Sequence, residues 1–268
     1  MLPRELATSP WAPRLDVALA AVRAAGAALM ELRGSIRGTE GDGGQLKTSI
    51  DLAAEGWVLG FLEGCFPGEC VLAEERFDRA GEPWPGARTY WTVDALDGTR
   101  SYVEGFDGFC VQVAYVDDGV PRLGVICAPA AGTVYAAAEA AGAWLLARDR
   151  AVRLGGSRAT SLGPELRFVD STRSSAPIFE GLTFVECGSV GLKICRLAED
   201  AADIYVKRFQ PKLWDVAPGE VLLREVGARL GDYGGRSFDY AGTRTHYDGV
   251  IAAPAALYPS LVAAVTGS

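Results

Sequence analysis

The sequence predicts an α+β chain arranged as two lobes with a cleft between them. Three observations carry that prediction. Strand-like segments dominate residues 90–150 without long intervening helices, which favours an antiparallel sheet over serial strand-helix-strand units. Residues 150–165, with "GGS" and "GP", read as a boundary. Beyond it the rhythm changes to alternating strand and helix. The expected division is an N-terminal lobe of residues 1–150 and a C-terminal lobe of residues 151–268. Apolar residues make up 49% of the 268, enough for a sizeable core.

Each element follows from local pattern. "LDVALAAVRAAGAALMELRG" is apolar but interrupted by Asp16 and Arg23, so it reads as a packed helix ending near Gly34 rather than a leader segment. "SIRGTEGDGGQL" is a glycine-rich loop over 35–46. "TSIDLAAEGWVLGFLEGCF" places Leu52, Trp57, Val58, Phe61 and Leu62 at helical spacing, with Thr48 or Ser49 as cap and Pro67-Gly68 as stop. "CVLAEE" is a short strand ending in two acids, and 76–89 a polar loop. "TYWTV" is a strand running into Asp94. "FCVQVAYVDDGVPRLGVICAP" makes two strands with a turn at Asp118-Gly119, and "GTVYAAAEAAGAWLL" a hairpin turning at Gly142. In the second lobe "LRFVD", "GLTFVECGS", "IYVKR" and "DGVIAAP" read as strands. "VGLKICRLAEDAAD", "WDVAPGEVLLREVGARL" and "AALYPSLVAAVTG" read as helices, with Pro218 placed in a first turn.

Composition excludes several classes. Twenty-six basic and 34 acidic residues leave a charge of −8, which argues against a nucleic-acid polymer or an anionic membrane as partner. No stretch offers about 18 uninterrupted apolar residues, so no membrane span is expected. The six cysteines form no CxxC pair and His246 is the only histidine, so a Cys/His zinc site is not expected. Scattered thiols suit a reduced, cytoplasmic protein.

The acids stand at the expected ends of elements: Glu74 and Glu75 after one strand, Asp94 after another with Asp97 beyond it, and Asp215 at a helix start. Carboxylates gathered with almost no His or Cys select a hard cation such as Mg²⁺. Gly98 and Thr99 would open a helix whose free N–H groups suit an anion. On spacing alone, an Asx turn at Asp94, a plain turn at Asp97-Gly98 and an N-cap at Asp215 explain these residues equally well.

The pattern as a whole resembles the inositol monophosphatase-like superfamily of metal-dependent, lithium-sensitive phosphatases. The matching stretches are "TSIDLAAE", "LAEE", "WTVDALDGTRSY", "GVICAPAAGTVYAA", "LWDVAPGEVLLREVGARLGDYGG" and "GVIAAP". The family's D-P-[LI]-D-G-T element stands here as "DALDGT", with Ala95 in place of proline. "QLKT" replaces the family's "SPVT"-like run, keeping Thr48. The resemblance implies a layered αβαβα sandwich of the inositol monophosphatase/fructose-1,6-bisphosphatase type. It implies Mg²⁺, two or three ions, with Mn²⁺ as substitute. Glu74, Asp94 and the Leu96 carbonyl would hold one ion, and Asp94, Asp97 and Asp215 a second. Asp51 and Thr99 would hold the attacking water, and Glu74 belongs with them in the catalytic set. The Gly98 and Thr99 amides would hold phosphate oxygens, with Glu75 behind the ligands. Without the resemblance, Asp51 reads as a solvent-facing helix residue and His246 as structural or near the pocket rim.

The resemblance also bears on the substrate, a small phosphorylated metabolite. Relatives acting on inositol phosphate place an acid seven residues before the tryptophan-linked aspartate; here that position is Arg208, after Lys207. "GSVGLKICRLAEDAADIYVKR" resembles the 3'(2'),5'-bisphosphate nucleotidase branch, with Lys193 and Lys207 in its basic positions. Adenosine 3',5'-bisphosphate is therefore one expected substrate. Inositol, histidinol and sugar phosphates, or a biosynthetic nucleotide or amino-sugar monophosphate, are the alternatives. The complete acid set argues against a non-enzymatic metal-binding scaffold. A homodimer is compatible with the resemblance.

Overall fold

The computed structural model describes residues 2–34, 49–81, 83–173 and 177–267. The loop 35–46, Thr48 and the "QLKT" run up to it lie outside the described residues. The chain opens with α1 (Arg4–Ala7), α2 (Ala12–Leu32) and α3 (Ser49–Cys65), followed by β1 (Val71–Ala73) and α4 (Glu74–Ala80). Next come β2 (Tyr90–Asp97), α5 (Thr99–Glu104), β3 (Cys110–Asp117), β4 (Val120–Ala128), β5 (Thr133–Ala138), β6 (Gly142–Leu146) and β7 (Ala151–Arg153). These seven strands form one sheet in sequence order, antiparallel except for the β1–β2 pair. The remainder holds β8 (Arg167–Asp170), β9 (Thr183–Glu186), α6 (Val190–Ala198), β10 (Tyr205–Lys207), α7 (Leu213–Glu225), β11 (Ala228–Gly231), β12 (Val250–Pro254) and α8 (Tyr258–Thr266). Here β10, β12 and β11 form an antiparallel sheet, β8 and β9 pair in parallel, and a bridge from Phe168 to Ile204 sets β8 beside β10.

The elements stack as five layers, and alternation along the strands explains why. In β2 and β3, Trp91, Val93, Val111, Val113 and Tyr115 pack toward α2 and α3. Tyr90, Cys110, Ala114 and Val116 pack on the opposite face with α6 and α7. Both faces are apolar, so both must be covered by helices. The helices α6 and α7 then pack against the second sheet, whose far side is closed by α8 through Ile251, Ala253, Leu257 and Leu261. This is the αβαβα sandwich that the resemblance implies. Among the described residues no helix is long and apolar enough to cross a membrane.

Several local expectations are corrected. Residues 74–80 are helical, so Glu74 and Glu75 open α4 rather than close a strand. Strand β2 continues past Asp94 to Asp97. On α3 the buried stripe is Ile50, Asp51, Ala54, Glu55, Val58, Leu59 and Leu62, while Leu52 and Phe61 are exposed. Helix α6 stops at Ala198, just before Asp200 turns with φ +60°. The segment read as one long helix to Leu230 ends at Glu225, because Gly227 takes φ +77° and the chain re-enters as β11. Pro218 lies inside α7, beyond its first turn. The seven-stranded sheet takes its last strand from 151–153, short of the glycines at 155 and 156.

Helix α7 crosses β4 at Gly124, where an added Cβ would lie 2.2 Å from the Pro218 carbonyl oxygen. Both sides of that contact are backbone, so neither can move aside cheaply. Gly124→Val is expected to destabilise the protein by roughly 2–3 kcal/mol. Urea unfolding checks this, and a midpoint equal to the parent's would contradict so close a packing of the helix on the sheet.

Candidate active site

Two acids three positions apart on a regular strand point to opposite faces. Here they do not, because β2 carries a bulge: Asp94 pairs with Gln112 and Asp97 with Cys110, so two residues of β2 oppose the single Val111. Ala95 and Leu96 face the α2–α3 core, while Asp94 and Asp97 both face α6 and α7. The Gln112 amide reaches both carboxylates, at 3.5 Å from Asp94 and 3.2 Å from Asp97. The Leu96 N–H donates to Asp94 at 3.0 Å, and the Gly191 N–H, in the first turn of α6, donates to Asp97 at 2.8 Å.

After the bulge Gly98 adopts φ +94° and the chain turns into α5. A side chain at Gly98 would meet the Gly108 carbonyl at 2.7 Å as well as an unfavourable backbone. The turn sets Thr99 Oγ1 2.8 Å from Asp51 Oδ1 on α3. The same hydroxyl lies 3.3 Å from the Leu96 carbonyl. Asp51 is buried, not solvent-facing as helix periodicity alone suggests.

One turn along α3 from Asp51, Glu55 faces the same way. Its two oxygens accept the N–H groups of Glu75 (2.6 Å) and Arg76 (2.9 Å), capping α4 and fixing where Glu74 begins. Burial pushes the Glu55 carboxyl up, against the pull of those two N–H donors. Glu74 Oε1 accepts from Lys212 Nζ at 3.1 Å, across 138 residues of chain. Lys212 lies just before α7, and its N–H donates to Asp215 Oδ2 at 2.8 Å. Burial works against the Lys212 ammonium, but Glu74, Asp78 and Asp215 outweigh it and raise its pKa.

Asp94 is buried, with Asp97 and Asp215 half-buried beside it. Burial and then repulsion from Glu74, Asp97 and Asp215 hold the Asp94 carboxyl well above the usual carboxylate range. Burial raises Asp97, against the Gly191 N–H and Lys193. Burial followed by repulsion from Asp97 and Glu74 raises Asp215. Among the described residues no three His, Cys, Asp or Glu side chains close into a preformed ion cage. The donors nevertheless fit a hard divalent cation in kind: carboxylate and carbonyl oxygens whose mutual repulsion such an ion relieves.

The basic residues beyond residue 190 diverge. Lys193 is buried on α6, donates to the Gly188 carbonyl at 2.5 Å and stands 4.0 Å from Asp170. Burial lowers its pKa, against the attraction of Asp97 and Asp170. Lys207 Nζ reaches both Asp170 oxygens, at 3.0 and 2.7 Å. Arg208 turns to exposed Asp248 and lies over the Tyr233 ring. His246 is exposed and lies against Phe77, its Nδ1 2.8 Å from the Thr245 hydroxyl.

Sequence reasoning passed over Glu55, Gln112, Asp170 and Lys212. Two of them carried a signal. Glu55 stands four residues after Asp51, hence on the same helix face, and Gln112 is the lone amide in the otherwise apolar run "FCVQVAYV".

Five alternating layers, with Asp94, Asp97 and Asp215 close enough to repel one another, give the fold and the site that the chain presents. The chain belongs to the inositol monophosphatase family, whose model matches residues 11–267. The family hydrolyses phosphomonoesters of small metabolites, and Mg²⁺ dependence and lithium sensitivity are typical of it. The chain is 30% identical over 234 residues to the Nus factor SuhB of Vibrio cholerae, covering 83% of this chain and 86% of that protein. It is 32% identical over 202 residues to the 3'(2'),5'-bisphosphate nucleotidase CysQ of Escherichia coli, covering 72% and 78%. Among solved structures, the IMPase of Thermotoga maritima superposes with a TM-score of 0.79 at 25% identity, covering 95% and 97%.

The raised acids have a thermodynamic consequence. A carboxyl whose folded pKa exceeds its unfolded value keeps its proton in the folded form where the unfolded form has lost it. It therefore lowers stability as pH rises through that window. Chelator-treated Asp94→Asn is expected to unfold at higher urea than the chelator-treated parent at neutral pH. The advantage should shrink as pH falls toward the unfolded carboxylate range. A variant midpoint equal to or below the parent's at neutral pH would contradict the assigned repulsion.

Proposed function

We propose that this chain is an Mg²⁺-dependent phosphomonoesterase in which Thr99 and Asp51 orient the attacking water. The observation that carries the reading is the 2.8 Å Thr99–Asp51 hydrogen bond formed directly after the β2 bulge that turns Asp94 and Asp97 to one face. Glu74, Asp94 and the Leu96 carbonyl would hold one ion, and Asp94, Asp97 and Asp215 another, with Mn²⁺ able to replace Mg²⁺. When bound, the metal lowers the pKa of a coordinated water and offsets charge on the phosphoryl group. The protein supplies the orientation. Thr99 gives its one hydroxyl proton to Asp51, which leaves its oxygen lone pairs to accept from the water and hold it behind phosphorus. The Gly98 and Thr99 amides open α5 toward the phosphate oxygens.

For the substrate, we favour a nucleotide carrying a second phosphate, such as adenosine 3',5'-bisphosphate. Lys193 and Lys207 meet around Asp170 on the second lobe, and CysQ is a nucleotidase by name. A second reading, a monophosphate of a polyol, histidinol or sugar, is favoured by one observation: Asp170 already engages Lys207 with both oxygens. A phosphate-release panel with Mg²⁺ separates the two. The bisphosphate reading expects the highest kcat/KM on adenosine 3',5'-bisphosphate and a selective loss on that substrate in Lys207→Ala. Equal losses on bisphosphate and monophosphate would leave the second reading.

The water-orienting pair has its own test. Thr99→Ala and Asp51→Asn are each expected to lower kcat by about a hundredfold, the scale of one lost positioning contact. The double variant should be little worse than either single one, because the pair acts as a unit. Two small, simply additive losses would remove Asp51 and Thr99 from the mechanism.

A further inference from the structure

Lys212 joins the acid site from outside the expected ligand set. Its Nζ lies 3.1 Å from Glu74 Oε1 and 3.6 Å from Asp78 Oδ2, with only 13% of the side chain exposed. The ammonium stands over the Trp214 ring, 5.0 Å from its centroid, so the indole of α7 limits where it can go. Its own backbone N–H is committed to Asp215. One residue therefore fastens an acid of each lobe, Asp215 by main chain and Glu74 by side chain. Glu74 is thereby held by a tethered cation, in keeping with the lack of a closed cage of acids among the described residues.

We propose that Lys212 is a built-in competitor for the divalent cation at Glu74: loading the site requires its ammonium to leave Glu74 Oε1. The proposal rests on the metal-dependent reading above. Its physical basis is simple. A carboxylate oxygen that accepts from an ammonium has part of its charge offset, and a cation arriving at the same carboxylate meets a like charge about 3 Å away. Lys212 thus lowers ion affinity in the empty site while keeping Glu74 in place for the ion. It is a positioning residue whose effect is exerted through Glu74 and Asp78. The backbone bond to Asp215 does not depend on its side chain, so replacing the side chain leaves that half of the arrangement intact.

The experiment is Mn²⁺ and Mg²⁺ titration by calorimetry of the chelator-treated, dialysed full chain, with no substrate present. Lys212→Gln and Lys212→Met remove the charge, and the methionine keeps apolar contact with Trp214. Both are expected to bind Mn²⁺ at least roughly threefold more tightly than the parent, the scale of a partly exposed ion pair. Lys212→Arg is expected to stay near the parent. Unchanged or weaker binding in the two neutral variants would overturn the proposal. A crystal structure of the Mn²⁺-loaded parent gives a readout that needs no variant. Lys212 Nζ is expected beyond hydrogen-bond distance of Glu74, and its retention there with the ion on Glu74 would equally overturn the proposal. If neither parent nor variants bind Mn²⁺, it is the metal-dependent reading that fails along with it.

Discussion

The structure is organised around an unfavourable contact. Burial, and then repulsion from the neighbouring carboxylates, raises the charging cost of Asp94 and Asp215, and burial raises that of Asp97 between them. Carboxylates survive there because the backbone meets them. The Leu96 N–H reaches Asp94, the Gly191 N–H at the start of α6 reaches Asp97, and the Lys212 N–H before α7 reaches Asp215. Two of these three donors come from helix beginnings, where N–H groups lack intrahelical acceptors and carry partial positive charge. The helices α6 and α7 are thus more than a filling layer between two sheets. Their N-terminal ends are aimed at the bulge in β2, and the layered stacking is what lets them reach it.

That aim demands close approach of backbones. Gly108 and Gly188 meet so tightly that a Cβ on Gly188 would lie 2.1 Å from the Gly108 carbonyl oxygen. The same carbonyl accepts the Ser189 N–H at 2.9 Å, and Ser189 caps α6 through the Leu192 N–H. The contact therefore sets the position of α6, hence of the Gly191 N–H on Asp97. A larger residue at either glycine would shift the helix start and leave a charged oxygen without its donor, a cost distinct from the steric one.

Periodicity and turn chemistry made most elements legible: the antiparallel run through β2 to β6 and the terminal helix, although the β5–β6 hairpin turns at residues 139–141, before Gly142. The features that escaped are those decided by contacts distant in sequence. The bulge in β2 is set by pairing against β3, and nothing within "VDALDG" reveals that Asp94 and Asp97 share a face. Glu74-Glu75 read as a strand end and the residues from 76 as a polar loop because the start of α4 is fixed by Glu55, which lies on α3. The stretch 226–230 has helical composition, but Gly227 reverses the chain so that β11 can pair with β12. At the site, Asp51 and Glu55 occupy positions that amphipathic helices give to apolar residues. The acidic "DxxxE" spacing reads as solvated until Thr99 of α5 is seen on Asp51 and the start of α4 on Glu55.

The surroundings of Asp170 show why counting basic residues is a poor guide to local charge. Lys193 and Lys207 suggest a doubly cationic patch, yet Asp170 stands between them, buried at the end of β8, with both oxygens on Lys207 and Lys193 at 4.0 Å. Asp97 attracts Lys193 from the other side. The result is an alternation of charge, Asp97, Lys193, Asp170, Lys207, leading from the β2 bulge to the partly exposed Lys207. In such a row each interior charge is largely offset by its neighbours, so the two lysines do not make a patch of uniform positive sign.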